Sequence, residues 1–276
     1  MLWVALPFTA GPATASALAG ASRPVQVLAS VGLWSGWAVG VVATLVALPA
    51  SLTALRVGAP AVLAAVLAAA AAGHADALAV GWAGVTAAWV FSPPWGALCV
   101  NGPAYPNERR FLLRAPGPLL FGPLALAWAL AVGGATAGPL LLAAGRWWLG
   151  VPVTAVGFPL SGVFIRGMHD LSRRWAVFVP AGLVLHDPLT LLDPVLLRRQ
   201  AVQRLGPALA GTDALDLTQR APGLAVEARL SEEVPLTLVH PGRRTPEMAR
   251  AAAVLFTPTR PGALVEEARQ RRFPVG

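Results

Sequence analysis

The chain contains no lysine, a single cysteine and very few acidic residues in its first part. All 21 basic residues are arginine, which, like the high alanine content, points to a GC-rich genome and carries no mechanism. The lone Cys99 excludes an internal disulfide. Charged residues make up 12% of the 276 residues, about half the roughly 25% that is usual in soluble proteins. So little charge, together with 56% hydrophobic residues, indicates a membrane protein.

The charged residues are distributed unevenly along the chain. Residues 1–169 hold seven of the 21 arginines and only two acidic residues, Asp76 and Glu108. Residues 170–276 hold the other 14 arginines and 11 acidic residues. This break predicts a transmembrane helical domain over 1–169 and a second domain over 170–276. The net charge of +8 fits anionic lipid better than nucleic acid, because hydrophobic stretches flank much of it.

A membrane-spanning helix needs about 20 apolar residues. Six stretches without a charged residue approach this length: 2–19, 25–48, 57–73, 77–97, 118–143 and 147–165. They predict three hairpins of transmembrane helices, because the links within each pair are short. The first stretch has an alternative as a cleaved signal peptide, since Ala13, Thr14 and Ala15 resemble a cleavage site. It lacks a basic leading region, so a retained span is favoured.

Arginine placement predicts the orientation of these helices. If both ends of the chain are cytoplasmic, seven arginines lie inside and two, Arg23 and Arg146, lie outside. The inside set is Arg56, Arg109, Arg110, Arg114, Arg166, Arg173 and Arg174. The sequence therefore predicts a multi-pass protein of the cell (inner) membrane with a cytoplasmic C-terminal domain.

Small residues at helical spacing predict close helix packing. Gly32, Gly36 and Gly40 fall on one helix face, and Gly134 and Gly138 repeat the spacing once. Such residues let membrane helices approach closely. Packing inside one bundle is favoured over a homodimer face, and the oligomeric state stays open.

The longest loop between the spans, residues 91–117, contains five prolines and the only tyrosine, Tyr105. It has two interpretations. The first is an ordinary cytoplasmic loop with positive-inside arginines. The second is a docking surface for lipid head groups or for the C-terminal domain.

From Trp175 onward the hydrophobic pattern alternates with a period of two, which is typical of strands. The pattern predicts one hairpin over 175–186, a second over 224–238 with a turn at 231–233, and a strand over 252–257. A C-terminal helix follows, with Thr259 as its cap, Leu264, Val265 and Ala268 on its apolar face, and a Glu267–Arg271 pair. A domain of this kind is expected to fold alone from about residue 172.

The segment RRWAVFVPAGLVLHD and the ending LFTPTRPGALVEEARQRR resemble bacterial pleckstrin-homology-like domains attached to membrane spans. That resemblance implies a small antiparallel PH-like β-barrel closed by a C-terminal helix. The whole chain, with NGPAYPNERR between spans, resembles an uncharacterised multi-pass membrane protein family of actinobacteria. The expected fold class is therefore an all-α membrane bundle of about six transmembrane helices plus a C-terminal α+β domain.

No motif for catalysis, metal binding or a cofactor is found in the sequence. Of the four histidines, His74, His169 and His186 each neighbour an acidic residue, and surface histidines beside solvated acids are favoured over a metal site; the fourth is His240. The candidate lipid- or partner-facing residues are Arg109, Arg110, Arg173, Arg174, Arg198 and Arg199. Their simplest role is to determine the orientation of the chain in the membrane.

The expected partners are the bilayer, anionic lipid head groups or another membrane protein. The predicted function is a non-enzymatic membrane-tethered interaction or regulatory module, and the alternative is a small transporter or transporter accessory subunit.

Overall fold

The structure is a computed structural model that describes residues 2–239 and 245–276. The chain divides into two compact units. Unit 1 comprises residues 1–99 and 125–169, and unit 2 comprises residues 100–124 and 170–276. Unit 2 therefore contains part of the loop that the composition assigned to the membrane domain.

The described helices begin mostly at prolines, whose missing N–H costs nothing in a first helical turn. They are α1 (Leu6–Thr9), α2 (Gly11–Leu18), α3 (Arg23–Leu45), α4 (Pro49–Ala71), α5 (Ala77–Val90), α6 (Pro93–Asn101), α7 (Gly117–Leu120), α8 (Pro123–Ala143), α9 (Trp147–Leu171) and α10 (Pro261–Gln270). Asp76 caps α5 by accepting a hydrogen bond from the Ala79 backbone N–H at 2.8 Å.

Within the described residues, four helices are long and apolar enough to cross a membrane, namely α3, α4, α8 and α9. The bent pair α5–α6, with an angle of 51°, gives a fifth if it counts as one span. The predicted first span over 2–19 is divided into α1 and α2 instead. Pro7 and Pro12 each lie in the first turn of one of these short helices.

The expectation that every span is free of charge is wrong for α4. This helix begins at Pro49 rather than near residue 57, so Arg56 lies inside it. Similarly, α9 continues to Leu171 and includes Arg166. The predicted spans stop at the nearest charged residue. Helices of this length nevertheless accept an arginine within a few turns of an end, because its long side chain can extend towards water.

Small residues bring helices together in unit 1, but not at all the predicted positions. A Cβ added to Gly134 would lie 2.6 Å from the Gly157 carbonyl oxygen, so α8 and α9 are in close backbone contact there. Gly40 lies against the indole of Trp3. By contrast, Gly32 and Gly36 have no described neighbour within 4 Å of an added Cβ.

The described residues of unit 2 form two four-stranded sheets rather than a closed barrel. The strands are β1 (Arg109–Leu112), β2 (Trp175–Val179), β3 (Gly182–His186), β4 (Val195–Arg198), β5 (Val202–Pro207), β6 (Leu215–Asp216), β7 (Val226–Leu238) and β8 (Glu247–Phe256). The first sheet is antiparallel in the order β1-β2-β3-β4, and the second has the order β5-β7-β8-β6, with β6 parallel to β8. The predicted hairpin over 175–186 is confirmed as β2 and β3.

The predicted hairpin turn at 231–233 is wrong, because β7 runs unbroken through it. The pairing of β7 with β8 shifts between Arg229 and Val234, where Arg229 faces Ala253 and Val234 faces Ala251. The polar residues 231–233 are thus accommodated in a bulge, which leaves extra residues unpaired without reversing the chain.

Strand β1 comes from the loop 91–117 and pairs with β2, so that Arg109 faces Phe178 and Leu112 faces Trp175. The Asn101 side chain holds the backbone of Arg110 by donating to its carbonyl oxygen at 2.8 Å and accepting from its N–H at 2.9 Å. Docking of the loop on the C-terminal domain is therefore confirmed for residues 109–112, while docking of lipid head groups stays a prediction.

Helix α10 packs on the core of unit 2 as the sequence predicts. Leu264 and Ala268 are fully buried there together with Phe178 and Phe256. The Glu267–Arg271 pair is confirmed at 2.7 Å. The predicted cap is wrong, because the N-cap residue is Arg260. The Thr259 backbone N–H instead donates to the Leu112 carbonyl oxygen at 2.8 Å, which joins β1 to the segment before α10.

Candidate anion-binding cleft

Two packed aromatic rings support a basic cleft at the end of α10. Phe178 on β2 and Phe273 after α10 meet edge to face, with centroids 5.3 Å apart. The Arg271 guanidinium carbon lies 5.7 Å from the Phe178 centroid, and that of Arg199 lies 5.8 Å from the Phe273 centroid. Cation–π contacts of this kind stabilise by roughly 0.5–1 kcal/mol when exposed. The rings therefore hold two guanidinium groups in place.

The cleft has a volume of about 250 Å³, and its lining includes Val179, Arg199, Arg271, Arg272 and Phe273. We call it the arginine cleft. It is smaller than the roughly 300–1,000 Å³ of pockets that hold drug-sized ligands. Its size suits a small anionic group.

The end of α10 places Arg272 in this cleft through a Schellman motif. The Phe273 N–H donates to the Ala268 carbonyl and the Arg272 N–H to the Arg269 carbonyl, both at 2.9 Å. This motif puts Arg272 in the left-handed conformation with φ +59°. Glycine is the usual residue there, because a side chain costs roughly 1–2 kcal/mol in that conformation. An arginine at this position is therefore costly for folding.

Only one of the three arginines of the cleft has a carboxylate partner in the part of the chain that the structure describes. Arg271 pairs with Glu267 and donates to the Asn107 carbonyl oxygen at 3.0 Å. Within residues 2–239 and 245–276, neither Arg199 nor Arg272 forms an ion pair with a carboxylate. Unpaired guanidinium groups that converge on a concave surface attract anions, and arginine matches the geometry of phosphate or carboxylate oxygens.

Three of the arginines predicted to face lipid or a partner lie at this end of the first sheet. Arg199 lines the cleft, and Arg198 ends β4 opposite Gly182. Arg109 is paired with Phe178 in the strand register, so its side chain leaves the sheet on the Phe178 face. Arg109 and Arg198 are both exposed. The strand register thus places residues that are far apart in sequence at one end of this sheet.

Arg110 and Arg173 lie elsewhere, beside a stacked Trp175–His186 pair. The two rings are 5.3 Å apart, and Arg110 lies 5.3 Å from the Trp175 centroid while pairing with Glu108 at 3.0 Å. Burial lowers the pKa of His186, and the nearby positive charge of Arg173 lowers it further. This corner therefore disfavours the protonated form of His186, and its residues do not line the arginine cleft.

Arg174 does not face lipid or a partner, because the residue is buried with only 1% exposure. Its Nε and Nη2 donate to the two carboxylate oxygens of Asp187 at 2.6 and 2.7 Å. Its Nη1 donates to the Arg114 carbonyl oxygen at 2.7 Å. Arg174 is therefore a structural residue that ties β2 to β3 and to the segment after β1.

Two of the described histidines lie within hydrogen-bonding distance of hydroxyl groups. The His74 Nδ1 lies 3.2 Å from the Ser16 hydroxyl, and the His169 Nδ1 lies 2.9 Å from the Thr53 hydroxyl. His240 lies outside the described residues. No group of three or more His, Cys, Asp or Glu residues that could hold a metal ion occurs in the described part of the chain.

Unit 1 has a cleft of a different character. Its volume is about 470 Å³, and it is lined mostly by apolar and small residues of α3, α4 and α9, including Gly36, Gly40 and Ile165. The polar pair Thr53–His169 lies at its wall. Gly36 and Gly40 were predicted as packing residues. Gly40 packs against the Trp3 indole at the wall of this cleft, whereas Gly36 borders open space.

Comparisons of the chain with models of known protein families, with curated proteins and with solved structures find no match.

Arg271 and Arg272 were missing from the predicted site residues. Their local signal is the run of basic residues that ends α10, of which only Arg271 entered the prediction, as the partner of Glu267. Only the packing of Phe273 against Phe178 brings that run beside Arg199, and this long-range contact has no local signature.

Proposed function

We propose that the protein is a non-enzymatic, membrane-tethered binding module whose C-terminal unit binds an anionic group of a lipid or partner protein in the arginine cleft. The observation that carries the proposal is the convergence of Arg199, Arg271 and Arg272 on one cleft, where among the described residues only Arg271 pairs with a carboxylate, that of Glu267. The strained backbone of Arg272 supports it, because glycine there would fold more favourably.

The proposal also covers the membrane topology of unit 1 and the fold type of unit 2. Unit 1 would be an inner-membrane bundle, with the short helices α1 and α2 completing a sixth crossing. Unit 2 would be a cytoplasmic PH-like domain. The antiparallel strands and the buried face of α10 support this domain type, although the two sheets do not close into a barrel. A cytoplasm-active reporter fused after Gly276 should be active, and a periplasm-active signal there would overturn the orientation.

The transporter alternative receives less support. Transport of ions or polar solutes usually needs polar or ionisable groups along a path through the membrane unit. The cleft of unit 1 is mostly apolar, whereas the basic cleft lies on unit 2. This contrast favours binding over transport.

Calorimetric titration of the full chain with inorganic pyrophosphate tests the proposal. The protein would be held in nanodiscs of phosphatidylcholine, so that no anionic lipid competes for the cleft. We expect saturable binding that weakens as salt is added, since exposed charges are screened over about 10 Å at 0.1 M salt.

Two substitutions make the test specific. Arg199→Gln should weaken binding severalfold. Arg250→Gln removes the same charge from an exposed position on β8 and should leave binding unchanged. Equal affinities for both variants and the parent chain, or no binding heat at all, would contradict the proposal.

A further inference from the structure

Arg56 is a charged residue inside a membrane-spanning helix. It is the eighth residue of α4, which places it about 10 Å from the start of the helix at a rise of 1.5 Å per residue. Ionisable residues within spans are rare and costly, and they usually face a partner, a cavity or a ligand.

Unit 1 offers no carboxylate to pair with Arg56. Asp76 is the one acidic residue in the sequence of this unit, and it caps α5 beyond the other end of α4. Within the described residues, no ion pair involves Arg56, and its buried Nε has no hydrogen-bond acceptor. Because an unpaired buried charge is unfavourable, an anion from outside the unit would stabilise Arg56.

The surroundings of Arg56 hold the guanidinium group but do not neutralise it. Its Cζ lies 5.7 Å from the ring centroid of Phe91, at the bend between α5 and α6. The side chain is half-buried, so part of it is reachable from outside the unit. An aromatic ring beneath a guanidinium leaves its other face and its terminal nitrogens free to bind an anion.

We propose that Arg56 binds the phosphate of an anionic phospholipid, seated between α4 and the bend at Phe91. A lipid is favoured over a soluble anion because the residue lies within a helix that is apolar and long enough to cross the membrane. The arginine fork donates two parallel hydrogen bonds to phosphate oxygens, and membrane leaflets supply anionic phosphates at this depth when the side chain extends towards the interface. This site is independent of the arginine cleft.

Native mass spectrometry of the full chain in mild detergent tests the proposal. The protein would be loaded with equal amounts of phosphatidylglycerol and phosphatidylcholine. We expect preferential retention of phosphatidylglycerol, reduced at least about fivefold in Arg56→Gln, which corresponds to the roughly 1 kcal/mol of one basic residue near an anionic lipid surface. Arg166→Gln is the matched control, because Arg166 is an exposed arginine of α9 in the same unit, and it should retain the lipid.

Three outcomes would overturn the proposal. The first is equal retention of the two lipids by the parent chain, a result that does not depend on any variant folding. The second is unchanged phosphatidylglycerol retention by Arg56→Gln or by Arg56→Lys, which keeps the charge but lacks the fork. The third is displacement of the lipid by an equal concentration of inorganic phosphate, which would assign a soluble anion to Arg56.

Discussion

Removing β1 from unit 2 should abolish its cooperative folding, although β1 lies outside the boundary that composition places at residue 170. Two soluble chains would be compared. One is residues 170–276 alone, close to the segment expected from the sequence to fold alone. The other joins residues 100–124 to 170–276 through a flexible glycine–serine linker. The second chain restores the whole of unit 2.

The loss can be estimated from what β1 and its flank bury. Phe111 and Leu113 are 6% and 5% exposed and belong to the core of unit 2. Burying each stabilises by about 1.5–3 kcal/mol, so together they contribute about 3–6 kcal/mol. Without the Arg114 carbonyl, the buried Arg174 also lacks an acceptor, which costs about 1–3 kcal/mol more. A typical domain is stable by only about 5–15 kcal/mol.

Urea unfolding followed by circular dichroism measures this difference. The joined chain should unfold in one cooperative transition, whereas residues 170–276 alone should aggregate or show no transition. A joined chain carrying Phe111→Asp is the matched control, since its length and linker are unchanged, and it should behave like the truncated chain. Equal unfolding midpoints for all three chains would refute the assignment of β1 to the core.

Three further predictions concern single residues of unit 2. Leu264→Asp should cost several kcal/mol because it buries an unpaired carboxylate, while the exposed Glu266→Gln should be nearly silent in the same thermal melt. Asp187→Asn should cost about 3–5 kcal/mol in urea unfolding, because the fully buried guanidinium of Arg174 loses its counter-charge. Burial lowers the pKa of His186 below its ordinary 6.5, so the unfolded chain binds the proton more readily. The free energy of unfolding should therefore fall as the pH drops through 6.5, and His186→Gln should flatten that dependence.

Local patterns were enough to predict some elements of unit 2. The hairpin of β2 and β3 is fixed by alternation and by the turn at Pro180 and Gly182, which are neighbours in sequence. The buried positions of α10, Leu264 and Ala268, follow from helical spacing. In both cases the interactions that decide the structure lie within a few residues.

Other features depended on contacts that a single sequence does not reveal. The bulge in β7 depends on its pairing with β8, so a polar run was mistaken for a turn. Strand β1 is short and lies among prolines, and only pairing with β2 makes it a strand. In sequence Arg174 looks like its neighbour Arg173. In the structure its side chain points into the protein and pairs there with the buried Asp187. The arginine cleft needed the contact between Phe178 and Phe273.

The central claim is that the arginine cleft is kept for binding at the expense of stability, and Arg272→Gly tests it most directly. Glycine relieves the left-handed strain, which should stabilise the full chain by about 1 kcal/mol and raise its melting temperature by a few degrees. The same change should weaken pyrophosphate binding. Arg272→Gln, which removes the charge but keeps the strain, should lose affinity without gaining stability. An Arg272→Gly variant that is more stable and binds pyrophosphate as tightly as the parent chain would contradict the account.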